Sequence, residues 1–183
     1  MENKNKYEEA LKNYKYDAGE NILNRIKSSS DEKEQLDIIN MIILWKINRR
    51  AIIDSKTIKE LMNIKAINLD NLEENQDKLK KCFNDLIFSK GIHLAMASTI
   101  LHFYNPDTFP IIDQRAYREL HSEEIPPQEM PQNIKKKDAF DIYYKYIFDC
   151  KKYWKENCKE LNFSDIDKVL YQLDKDRGNR VRY

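Results

Sequence analysis

With 183 residues, 41% of them hydrophobic, and a net charge of +1, the chain is long enough for one well-buried core. It is too evenly charged to attract nucleic acid through its overall field, so any anion-binding face has to come from local segregation of charge. The apolar fraction excludes intrinsic disorder, and only three glycines argue against the many tight hairpins of an all-β fold.

Cys82, Cys150 and Cys158 form no CxxC pair and supply no four-cysteine set for zinc or an iron–sulfur cluster. They read as free thiols in a reducing compartment. The first residues, MENKNKYEEALKNYK, lack an apolar signal core, and the apolar run Met41–Trp45 is far too short to span a bilayer. The expected setting is cytoplasmic, with no membrane partner.

From Tyr7 to Lys27, apolar residues recur at helical spacing: Tyr7, Leu11, Tyr14, Ala18, Ile22 and Ile26. Gly19 weakens the middle and predicts a break near Asp17. Ser29 and Glu32 have capping-box spacing and predict the start of a second helix, Asp31 to Ile53. The centre of that helix, IINMIILWKI, is apolar on nearly all sides and reads as the buried central helix. Asp54 or Ser55 caps a short helix over Lys56–Met62. Another helix begins near Leu69 or Leu72 and runs to Phe88.

A tight turn at Lys90-Gly91-Ile92-His93 then leads into a helix from Leu94 to Tyr104. A proline-punctuated loop follows, and Asp113 opens the helix QRAYREL. Pro126, Pro127 and Pro131 make 122–133 a surface loop. A long helix is predicted from Ile134 to about Leu161. Ser164 with Asp167 resembles a cap opening the last helix, Asp165 to Asp176, which Gly178 ends. With every element helical and every connection short, the expected fold is all-α: a compact orthogonal bundle forming a single domain over 1–183.

Chemistry concentrates between Leu86 and Leu120. A glycine after a helix end suits positive φ, and the turn it makes exposes N–H groups at the start of the next helix, where a phosphate can bind. Lys90 stands beside it. Ala95-Met96-Ala97-Ser98 allows close helix packing. Asp113 is an ordinary N-cap, and it is also a carboxylate held rigidly on an anchored segment. Trp45, Lys46 and Arg49 place an aromatic and two cations on the apolar helix, as candidate pocket or DNA contacts or as side chains that simply reach solvent from its edge. Tyr104, Tyr117, Tyr143 and Trp154 could stack on a base, although buried aromatics more often simply pack. Lys135-Lys136-Lys137, Lys151-Lys152, Arg177, Arg180 and Arg182 are either solvated faces or a backbone-binding surface. The tail RGNRVRY is expected to be partly mobile. His102 and His121 lack metal-ligand spacing.

In order and separation, KGIHLAMAS and IIDQRAYREL resemble the helix–hairpin–helix DNA glycosylase superfamily. The likeness is detailed over Leu86–Leu120, with the helix–hairpin–helix at about 78–104, the loop and Asp-bearing helix start at 105–120, and C-terminal helices at 134–176. It implies that Lys90, Gly91, Ile92, His93 and Leu94 grip a DNA backbone and that Asp113 is the catalytic aspartate. Arg115 would be a DNA or pocket contact. His93 stands where a second glycine is usual. Ala95 occupies the position of the imine-forming lysine of bifunctional members, eighteen residues before the aspartate. The implied activity is therefore monofunctional base excision, with no cofactor and with room for a monovalent cation at the turn. Two other readings fit the same residues. One is a helix–hairpin–helix DNA-binding module in which Asp113 is only a cap. The other is a helical protein-interaction domain without nucleic-acid function.

Overall fold

In a computed structural model, residues 2–13, 20–29, 31–47, 51, 53–121 and 130–180 are described. They form nine α-helices with short 3₁₀ turns between some of them: α1 (Glu2–Lys12), α2 (Glu20–Ser28), α3 (Glu32–Ile47), α4 (Ser55–Asn63), α5 (Gln76–Phe88), α6 (Leu94–Tyr104), α7 (Gln114–His121), α8 (Ala139–Asn157) and α9 (Ile166–Asp176). One hydrophobic cluster takes in buried residues from all nine. The fold is all-α and compact, and no helix of the described residues is long and apolar enough to cross a membrane.

The helix buried all round is α6, where the sequence points to α3. Every residue of α6 except Ala95 is buried. Its sequence, LAMASTILHFY, carries no Asp, Glu, Lys or Arg, so no side needs water. In α3, Ile38, Ile39, Ile42 and Ile43 are buried, but Leu44 is 51% exposed. Met41, Trp45 and Lys46 lie between these extremes, so the helix buries one broad side.

The capping expectations divide. Asp54 caps α4 by accepting the Thr57 N–H at 2.7 Å. The Ser29–Glu32 box does not form: Asp31 accepts the Glu34 N–H at 2.9 Å. Ser29 instead gives its carbonyl to Gln35 Nε2. α5 begins at Gln76, later than its apolar spacing suggests, because asparagines upstream hold the backbone in turns. Asn68 Oδ1 accepts the N–H groups of Asp70 and Asn71, and Asn71 Oδ1 accepts that of Asn68. α8 begins only at Ala139, after extended residues Ile134 and Lys135 and a 3₁₀ turn at Lys136–Asp138. Ser164 lies within the 3₁₀ turn Phe163–Asp165 that precedes α9. The predicted break near Asp17 and most of the proline loop, residues 122–129, lie outside the described residues; Met130 and Pro131 are buried.

Core aromatics knit α5 to α8. The Phe83 ring stacks on Tyr143, with centroids 5.2 Å apart, and meets Phe140 edge-on. The three cysteines are free and buried. Burial pushes the Cys82 thiol up to about 12 and Cys158 up to about 11, and raises Cys150 well above the usual thiol range.

Candidate functional site

The α5–α6 turn forms as its glycine predicts. Ser89 ends α5 with its N–H on the Leu86 carbonyl, and Gly91 takes φ +84°. His93 is extended at φ −123°, so it meets no left-handed strain where a glycine would be usual, and it precedes α6 without a side-chain cap. The His93 side chain therefore leaves the start of α6 uncapped, while its carbonyl accepts the Ala97 N–H at 2.8 Å. Lys90 and His93 are exposed, whereas Ile92 and Leu94 anchor the turn in the core. Replacing Gly91 with alanine places a Cβ in the left-handed region and is expected to cost about 1–2 kcal/mol. Urea unfolding of the variant measures that cost directly.

The second half of the site is the extended segment Phe109–Asp113. It pairs with no strand, and its backbone is satisfied by side chains from three helices. From α6, His102 Nδ1 donates to the Phe109 carbonyl at 2.9 Å, and Ser98 Oγ accepts the Ile112 N–H at 3.1 Å. From α8, Tyr143 and Tyr146 donate their hydroxyls to the Pro110 and Ile111 carbonyls at 3.0 and 3.1 Å. From α9, Asp167 Oδ2 accepts the Ile111 N–H at 3.0 Å. Buried backbone polar groups need partners, and these five are side chains; the Phe109 N–H goes instead to the Asn105 carbonyl at 3.1 Å, and the Asp113 carbonyl accepts the Tyr117 N–H at 3.0 Å.

Asp113 emerges at the end of this clamp. Its Oδ1 accepts the Ala116 N–H at 2.8 Å, which makes it the N-cap of α7. Burial raises its carboxyl above the ordinary aspartate range. The Lys46 ammonium and the cap bond oppose that rise, and the Asp167 carboxylate adds to it. The charge of Lys46, far away in sequence, thus bears on Asp113. Trp45, next to Lys46, meets Phe103 of α6 edge-on at 5.4 Å.

Other candidates have different work. Arg115 donates to Asp174 Oδ2 at 3.0 Å and to the Asn179 carbonyl at 2.8 Å, so it ties α7 to α9 and the chain beyond it. Tyr104 is buried, with its hydroxyl on Gln35 Oε1 at 2.9 Å, and cannot offer a stacking face. Tyr143 is enclosed in the same way, and Trp154 donates to the Leu161 carbonyl and packs on Phe163. Tyr117 is half-buried against His121 and Tyr146. Lys151 donates to the Leu69 carbonyl. Arg177 forms a two-pronged pair with Glu119, and Asn179 binds Asp174, so residues 177–179 are tied back and do not form a free tail. Arg49 and Arg182 lie outside the described residues.

Sequence reading missed Ser98, His102, Tyr146 and Asp167 as holders of the Asp113 segment. One signal was available: Tyr143 and Tyr146, three apart on α8, are apolar bodies whose hydroxyls need partners on burial. Among the described residues, no group of three or more His, Cys, Asp or Glu side chains could hold a metal ion. Comparison with protein-family models, with curated proteins and with solved structures gives no match.

Proposed function

We propose that this chain binds DNA through the Ser89–Leu94 turn and removes one base, with Asp113 acting at the sugar. The observation that carries this reading is the bond from the Ile112 N–H to Ser98 Oγ. Ser98 lies on the same buried helix whose first turn adjoins Gly91. α6 therefore fixes the spacing between a backbone-gripping turn and a carboxylate. Phosphates favour N–H groups at such a turn. A base can reach an enzymatic carboxylate only after leaving the duplex stack.

In this mechanism the C1′–N bond breaks and the base leaves with the electron pair. The Asp113 carboxylate stabilises the positive sugar and orients water, whose oxygen adds to C1′. The water proton goes to the departing base. Because the acting form is the carboxylate, base release rises with pH through the raised Asp113 titration.

A second reading, a DNA-binding module without chemistry, is favoured by the Ala116 N–H bond, which gives Asp113 a sufficient structural task. The deciding experiment is base release from duplexes carrying alkylated, oxidised, deaminated and hydroxymethyl-derived bases, read by mass spectrometry. Free base from the wild type and none from Asp113→Asn supports excision. Salt-dependent binding without release from any duplex supports the module. No binding at all removes both.

A further inference from the structure

Five side chains hold residues 109–113, and Asp167 is the only carboxylate among them. It is 5% exposed. Its Oδ2 accepts the Ile111 N–H, and its Oδ1 accepts the Lys168 N–H at 3.0 Å. His102 Nδ1, already bonded to the Phe109 carbonyl, stands 4.0 Å from Oδ2. A neutral amide or hydroxyl could accept the Ile111 N–H without the cost of desolvating a charge. The fold instead keeps a carboxylate there, two residues upstream of another.

We propose that Asp167 is the positioning residue of Asp113: its bond to the Ile111 N–H fixes the backbone two residues before Asp113 and brings a second carboxyl group to the same segment. The charges facing Asp113 come from every side. Lys46 of α3 favours its ionised form, and Asp167 of α9 opposes it. Arg118 of α7 and Tyr146 of α8 both respond to its charge. Asp167 thus helps decide at what pH Asp113 becomes a carboxylate. Its effect on base release rests on the function proposed above, but its effect on Asp113 does not.

The test is the titration of the Asp113 side-chain carboxyl by carbon-13 NMR, in the full chain and in Asp167→Asn, with thermal unfolding to establish that both are folded. Asparagine keeps an oxygen for the Ile111 N–H and removes the charge. The Asp113 midpoint is expected to move to lower pH in the variant. If base release is found, the acid limb of its pH profile moves the same way. An unchanged midpoint in a folded variant reduces Asp167 to scaffolding and overturns the proposal. If that variant does not fold, Asp167→Ser takes its place, its hydroxyl accepting the Ile111 N–H without a charge, and an unchanged Asp113 midpoint there overturns the proposal equally. Absence of base release from every duplex counts against the excision reading and leaves the titration result standing.

Discussion

Replacing Asp174 with alanine is expected to destabilise the fold by about 3 kcal/mol, toward the lower end of what breaking a buried ion pair costs. Asp174 is fully buried, and its carboxylate organises α7, α9 and the chain beyond α9. Arg118 grips both oxygens, Nε to Oδ1 at 2.6 Å and Nη2 to Oδ2 at 2.7 Å. Arg115 adds a third bond at 3.0 Å and Asn179 Nδ2 a fourth at 2.9 Å. Alanine leaves two guanidinium groups facing an empty space where their counter-charge stood. The Arg115 and Arg118 side chains are 16% and 25% exposed, so water relieves part of the loss and sets the expectation below the extreme. Domains commonly have only about 5–15 kcal/mol of stability, so such a loss leaves little margin. Urea unfolding of the variant beside the wild type measures it. A change under about 1 kcal/mol would mean the pair is as weak as an exposed one.

Asp113→Asn is expected to separate chemistry from stability. Base release should fall on the order of 10²–10³-fold, the scale of losing one charge-stabilising group at a reacting centre. The fold should not weaken at neutral pH. Asn caps a helix as well as Asp does, so its side-chain oxygen can still accept the Ala116 N–H. The carboxyl, moreover, is raised by burial. A group raised in the folded state gives a stability contribution that is full below the ordinary aspartate value and lost as pH rises through the folded one. Asparagine removes that pH-dependent loss, so above this window the variant should unfold at the same temperature or higher. Asp113→Ala removes the cap as well and should cost about 1 kcal/mol. An Asp113→Asn variant that loses activity and stability together would indicate that Asp113 serves chiefly as a cap. Measuring unfolding and base release on the same preparations distinguishes the two outcomes.

Some local signals in the sequence read well and others, such as the Ser29–Glu32 capping box, did not; signals that depended on distant partners were not legible. Gly91 at positive φ, the Leu94–Tyr104 helix, the Asp54 cap and the placement of Asp113 before α7 are each fixed within a few residues. Their geometry follows from neighbours that the sequence displays. The Arg115 bond to Asp174 was not legible, because that partner comes from two helices further on. The start of α5 was misplaced because apolar spacing says nothing of asparagines that prefer to close turns on themselves. The exchange of central role between α3 and α6 has a similar cause. Both are apolar, and only the packing of the other helices decides which one is surrounded. The Asp113 clamp was least legible of all, since it joins serine, histidine, tyrosine and aspartate side chains from three helices to one irregular segment.

The three enclosed thiols have a practical consequence. Thiolates react with alkylating reagents far faster than thiols, and burial here withholds both the charge and the access. Alkylation must therefore wait for the chain to open around each sulfur. Cys82 lies in α5, Cys150 in α8, and Cys158 directly after α8. Their labelling rates make a native stopwatch at three stations, requiring no engineered probe. Equal rates would time a single all-or-none opening, and an early station would name the part of the bundle that breathes first.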